Sequence, residues 1–227
     1  GDGTAAGANT IATIAADITG ATQLVKTDLG TLVLSGNNSY TGGTSLEDGA
    51  LVLAIANAIG TGVLTTAADT SVTLADGVTI ANAVTLDGDT AFGTGGTALG
   101  TGGTATLSGN ISGTGGLTLT GSGTLTLSGD NSYTGGTLLN GGTLALRSSN
   151  ALGTGALATA DRTTVALADA VTIANAIELG GATTVDVTGT STLSGVISGT
   201  GSLNRTGNGT LTLSGANTYS GGTTLRG

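Results

Sequence analysis

The stretch from Gly123 to Leu146, GTLTLSGDNSYTGGTLLNGGTLAL, decides how this 227-residue chain folds. Its opening TLTLSG alternates Thr and Leu. One apolar side chain every second residue lines a single side of the backbone only when that backbone is extended. The run is therefore a half-buried β-strand, and it stops at Gly129, a residue that tolerates the positive φ of a turn. TLVLSG, GALVLA, SVTLAD, GVTIAN, NAVTLD, GGLTLTG, GTLALR and TVALAD follow the same period. No window of helical length carries apolar residues at the spacing of a helix, so the fold class is all-β.

The same stretch occurs elsewhere. Gly30 to Leu53 reads GTLVLSGNNSYTGGTSLEDGALVL, identical at 17 of 24 positions, and Gly209 to Gly227 repeats the unit in shorter form. The offsets are 93 residues (123 − 30) and 86 residues (209 − 123). The sequence between repeats as well: Asn57–Leu86 matches Asn150–Leu179 at 20 of 30 positions. The chain reads as one array, 1–227, of about two and a half modules: the end of one at 1–29, then 30–122, 123–208, and the start of another at 209–227. The seven-residue difference falls between Asp87 and Thr104, which predicts a longer loop there on a constant scaffold. The chain opens without Met and closes within a unit, so it reads as an interior piece whose uncapped end coils should stack end to end or depend on neighbouring chain outside this sequence.

Alternating strands suit both hairpin sheets and a solenoid. Asn140-Gly141, Asp48-Gly49 and Asp87-Gly88 are hairpin signatures, which keeps a β-sandwich open. A repeat of this length favours the solenoid, a parallel β-helix with roughly four coils of ~20–25 residues per module and a rod of ~50 Å in all. Leu125, Leu127, Leu144, Leu146, Val165, Leu167, Val171 and Ile173 would share its core. Asn57, Asn82, Asn150 and Asn175 stand at strand ends, where side-chain amides can satisfy turn backbone.

Composition narrows function. The chain has 44 Gly, no Pro, Cys, Met, Trp or His, a net charge of −9 and only five cations. Without a basic patch, nucleic acid is not an expected partner, and no apolar run is long enough to insert this segment in a membrane as a helix. Missing His and Cys remove the common zinc sites and His- or Cys-based nucleophiles.

The unit Gly-Thr-Leu-Thr-Leu-Ser-Gly-x-Asn-[Ser/Thr]-Tyr-[Thr/Ser]-Gly-Gly-Thr, at 30–44, 123–137 and 209–223, resembles the passenger-associated transport repeat, also called the autotransporter-associated β-strand repeat. Asn-Ala-[Ile/Leu]-Gly-Thr-Gly at 57–62 and 150–155 is similar to that family too, as is the Leu-Ser-Gly-x-Ile-Ser-Gly lead-in at 107 and 193. The resemblance implies a right-handed β-helix in the passenger of a type V secreted protein, placed at the Gram-negative outer membrane surface by a C-terminal translocator barrel outside this sequence. It implies a structural stalk in an adhesin, with a self-associating biofilm fibre or a flank that binds glycan or a host protein as alternatives. The family's lead-in lysine is Lys26 here, but Leu119 and Arg205 in the later copies, which argues against a shared binding role for that cation.

No catalytic residue, cofactor or metal is expected. Tyr40, Tyr133 and Tyr219 recur before Gly-Gly and read as turn residues covering the surface rather than a ligand-stacking set. Thr124/Thr126 and Thr210/Thr212 suggest a Thr ladder of the kind that binds ice, yet recur once per module instead of once per coil. Asp87-Gly88-Asp89 is the nearest approach to a calcium loop, and its counterpart is Gly180-Gly181-Ala182. Asp76 and Asp169 recur in one turn and suit capping; Asp89, Asp161 and Asp186 form no visible pair, and Asp161-Arg162 reads as a surface ion pair. The Asn-x-Ser/Thr triplets at Asn37, Asn110, Asn204 and Asn208 are what so Thr-rich a chain contains by chance.

Overall fold

A computed structural model describes residues 7–95 and 102–226, so residues 96–101 and the extreme termini lie outside it. The alternating runs form 26 short strands, and the only helical segment among the described residues is a 3-10 turn at Gly7–Asn9. They assemble into sheets of ten, eight, five and three strands. Every strand pairing is parallel, from Ile11↔Thr31 to Leu203↔Thr223, which rules out the sandwich. Asp48-Gly49 and Asn140-Gly141 turn corners of a coil, with Gly49 and Gly142 at φ 71° and 70°. The chain is a β-solenoid of about ten turns.

Register fixes the coil. Down the ten-stranded sheet the aligned residues run Ile11, Thr31, Ala50, Ser71, Ala91, Thr118, Leu138, Ala158, Glu178 and Ser198. Each step is 19–21 residues except Ala91 to Thr118, which is 27. The insertion is narrower than 87–104, because Thr90–Thr94 is an ordinary strand paired on both sides. The extra residues lie between Thr94 and Thr104, and most of them fall outside the described residues.

A turn passes from the ten-stranded sheet to the side of the eight-stranded sheet, which carries no strand before Thr79–Ile80, and then to a third side. The five-stranded sheet holds that third side in earlier turns, and the three-stranded sheet takes the same place in later ones. A module is not a whole number of turns. Four coils carry the column of Thr31 to Thr118, but the sequence counterpart of Thr31 is Thr124, six residues on and in the next sheet. The next module repeats the step: four coils take Thr124 to Asn204, and its counterpart Thr210 lies six residues on, in the three-stranded sheet. Successive modules therefore advance about four and a third coils and present equivalent residues on successive sides of the rod.

The interior is built of aligned columns, such as Leu32, Leu51, Val72, Phe92, Leu119 and Leu139. All eight residues assigned to the core from the sequence are buried in one continuous cluster. Coils only one strand-spacing apart leave no room for unlike cross-sections, so small aliphatic side chains close each layer against the next.

Candidate functional surfaces

The segments SGNNSYTGG, SGDNSYTGG and SGANTYSGG contain no strand, and they interrupt a different side in each module. The period-2 alternation nevertheless continues through them. In the second copy Leu127, Gly129, Asn131 and Tyr133 are buried, while Asp130, Ser132 and Thr134 are exposed. Tyr40 and Tyr133 are thus core residues at 1% and 0% exposure, not the surface covers that their Gly-Gly neighbours suggested. Each phenol pairs with the hydroxyl four residues on, Tyr40 with Thr44 and Tyr133 with Thr137 at 2.6 Å. Burial pushes the Tyr133 pKa up to about 12 and raises that of Tyr40 as well. A ring sealed this way cannot stack on a ligand.

A few inter-coil backbone bonds persist here, such as Ser132 N–H to the Ile111 carbonyl at 2.8 Å, and Asn38 and Asn131, which the sequence reading passed over, supplement them. Asn131 Oδ1 accepts from the Ile111 amide at 2.8 Å, and its Nδ2 donates to the Ala151 carbonyl at 2.6 Å. Asn38 bridges Ile18 and Ala58 in the same manner, and Asn217 accepts from Ile197. One side chain therefore ties together the coils before and after its own. Asn82 and Asn175 do what their position predicted, each donating to two carbonyls of the preceding coil, Gly60 and Gly62 or Gly153 and Gly155. Among the described residues no buried side-chain N or O lacks a partner.

Lys26 also points inward. Its column continues as Leu46, Thr66 and Leu86, and its ammonium donates to the carbonyls of Thr27, Asp28 and Asp48 at 2.8, 2.5 and 3.1 Å. Burial lowers its pKa against the pull of the Asp48 and Asp28 carboxylates. Arg205 braces its own corner through the carbonyls of Gly207, the counterpart of Asp28, and Gly209, and Leu119 fills the position apolarly in the second module. The cation is a corner brace, so Lys26→Leu should still fold, with stability changed by less than about 1.5 kcal/mol in urea denaturation. Wild type should gain on the variant as pH approaches the ordinary lysine range, because there the unfolded state binds more protons than the folded one.

The carboxylates tie coil to coil. Asp76 and Asp169 accept the amides of Thr104 and Thr190, each at 2.7 Å. The Thr104 amide and then its hydroxyl hold the Asp76 pKa below its ordinary value. Asp89 accepts from Gly116, Asp161 from Ala182, and Asp186 from the Thr206 hydroxyl. Asp161 and Arg162 also form the expected exposed ion pair at 3.5 Å. Among the described residues no cluster of acidic groups is arranged to hold a metal ion.

The Thr ladder is longer than its sequence spacing implied. Thr104, Thr124, Thr143, Thr164 and Thr184 align over five coils. The adjacent outward column runs Thr106, Thr126 and then Ala145, so the paired motif holds on two coils only. Beyond it lies a trough of about 130 Å³ lined by Ala145, Ala166 and Ala168, with Arg147, Asp186 and Thr188 around it. The first module has Val52 and Thr73 where the trough has Ala145 and Ala166. Val52, facing outward by alternation, is only 2% exposed there. Arg147 and Asp186 replace Ala54 and Gly93. The two modules thus depart from each other in bulk and in charge at one place.

The model of the passenger-associated-transport-repeat matches residues 24–53, 117–146 and 203–227, the three regions in which the strand-less Asn-[Ser/Thr]-Tyr segments sit. A similar protein is the adhesin BmaC autotransporter of Brucella suis biovar 1 (strain 1330), 48% identical over 99 residues. That alignment covers 40% of this chain and 3% of the relative, so the chain spans a small fraction of that protein's length. No solved structure matches the chain.

Proposed function

We propose that this chain, which carries three passenger-associated transport repeats, is a length of rigid shaft in the surface-exposed or secreted passenger of a Gram-negative autotransporter-type adhesin. In this reading it acts as a spacer without enzymatic activity and holds other parts of the protein away from the cell. The observation that carries the reading is the stack of parallel ladders along the described residues, joined across the strand-less segments by backbone bonds such as Ser132 N–H to Ile111 and by Asn38, Asn131 and Asn217. A rod of about ten coils is ~50 Å long, and its stiffness comes from backbone ladders running parallel to its axis.

The test is a segment swap in the full-length protein. Residues 30–208 are replaced by an unrelated solenoid of equal length, and surface exposure of a distal epitope and cell adhesion are both measured. Adhesion and epitope reach should survive the swap. Adhesion lost while the epitope stays at full reach would overturn the spacer reading. It would favour instead an adhesive flank, for which the Arg147–Asp186 trough is the specific observation.

A further inference from the structure

The chain contains two Asn-Gly pairs, Asn140-Gly141 and Asn208-Gly209. In both, the asparagine is exposed and outside any strand. They differ in the next amide. Gly209 N–H donates to the Val187 carbonyl at 2.8 Å as part of the inter-coil ladder. Gly141 N–H has no hydrogen-bond partner among the described residues, because the ladder skips from Asn140, bonded to Leu119, to Thr143, bonded to Gly123.

We propose that Asn140 is a site of spontaneous covalent modification, converted by water to aspartate and isoaspartate, and that Asn208 is protected from the same reaction. The Gly141 nitrogen, deprotonated by solvent base, attacks Asn140 Cγ. The Cγ–Nδ2 bond breaks and ammonia leaves with the proton, closing a succinimide ring between residues 140 and 141. Water then opens the ring at Cγ to give aspartate, or at the main-chain carbonyl to give isoaspartate; no oxidant or reductant is needed. Glycine offers the attacking nitrogen no Cβ to hinder it. At Gly209 the same attack first requires the ladder bond to open, and the reaction slows by the fraction of time that it is open.

The fold accommodates one product better than the other. The first module carries Glu47 at the position of Asn140, so a carboxylate already stands at that corner. Isoaspartate instead routes the main chain through an extra methylene. The corner is tight: a Cβ on Gly141 would lie 2.5 Å from the Gly121 carbonyl oxygen.

The experiment is peptide-mapping mass spectrometry of the folded 227-residue chain incubated in mildly alkaline buffer, beside the same chain in denaturant. Folded, Asn140 should lose its amide at least about tenfold faster than Asn208, and unfolded the two rates should converge. Equal rates in the folded chain would overturn the proposal, as would a difference that persists in denaturant. Asn140→Gln, an exposed substitution whose longer side chain closes the ring far more slowly, should suppress the reaction at 140 and leave 208 unchanged; undiminished amide loss at 140 would also count against the mechanism.

Discussion

Asn131→Ala should be among the most destabilising single substitutions in the chain, costing about 3–5 kcal/mol. The side chain is 6% exposed and satisfies two backbone groups on two different coils, the Ile111 N–H and the Ala151 C=O. Removing it leaves a donor and an acceptor stranded where water has little access, at about 1–3 kcal/mol each, along with a small void. Asn131→Asp should be no better: its carboxylate can still accept from Ile111 but offers Ala151 no donor and buries a charge. Asn57→Ala is the control, since its amide bonds only the exposed Asn37 side chain, and it should cost less than about 1 kcal/mol. Urea denaturation gives the ranking. Hydrogen exchange should place the damage in the coils on either side of residue 131, because each coil is held only by its neighbours. An Asn131→Ala loss no greater than that of Asn57→Ala would mean that the bridge does not hold the coils together.

Replacing Tyr133 should separate packing from pH dependence. Tyr133→Ala removes a fully buried ring and should cost about 3–5 kcal/mol. Tyr133→Phe keeps the ring, loses the bond to Thr137, and should cost about 1–2 kcal/mol at neutral pH. The two tyrosine forms then diverge in alkali. The folded phenol holds its proton up to about pH 12, while the unfolded one releases it near the ordinary value of 10.0. Between those values the unfolded state binds fewer protons, so wild-type stability, fully present below pH 10.0, falls as pH rises, by on the order of 2 kcal/mol. Tyr40 contributes a loss of the same sign. Tyr133→Phe should flatten part of this alkaline limb, and phenolate absorbance should report Tyr133 titrating only as the chain unfolds. A Tyr133 that titrates near pH 10 in the folded protein would place it at the surface after all.

These two residues also show how far the sequence could be read. Parity was the usable signal: carried from Leu125 and Leu127 across Gly129, it lands on Asn131 and Tyr133, and both are buried. The Gly-Gly that follows suggested a turn and obscured it. Parity likewise puts Lys26 on the side of Leu24, yet a lone lysine is usually a solvated one. Its interior place depends on three carbonyls: those of Thr27 and Asp28 follow it directly in the chain, but that of Asp48 arrives from the next coil, 22 residues on.

The sequence by itself determined the strands, the all-β class, the aliphatic core and the recurrence of one module, because each follows from period-2 alternation or from self-similarity along the chain. Only the tertiary structure decided how the modules are arranged in space. Coil length is set by corner geometry and ladder register, which close a turn in about 20 residues whatever the repeat length. The 93- and 86-residue offsets therefore overshoot four turns by six residues, and each module lands one side further round the rod. The same closure brings Asn131 between Ile111 and Ala151 and leaves Gly141 without the bond that Gly209 has, since a contact between coils depends on where the chain returns after a full turn.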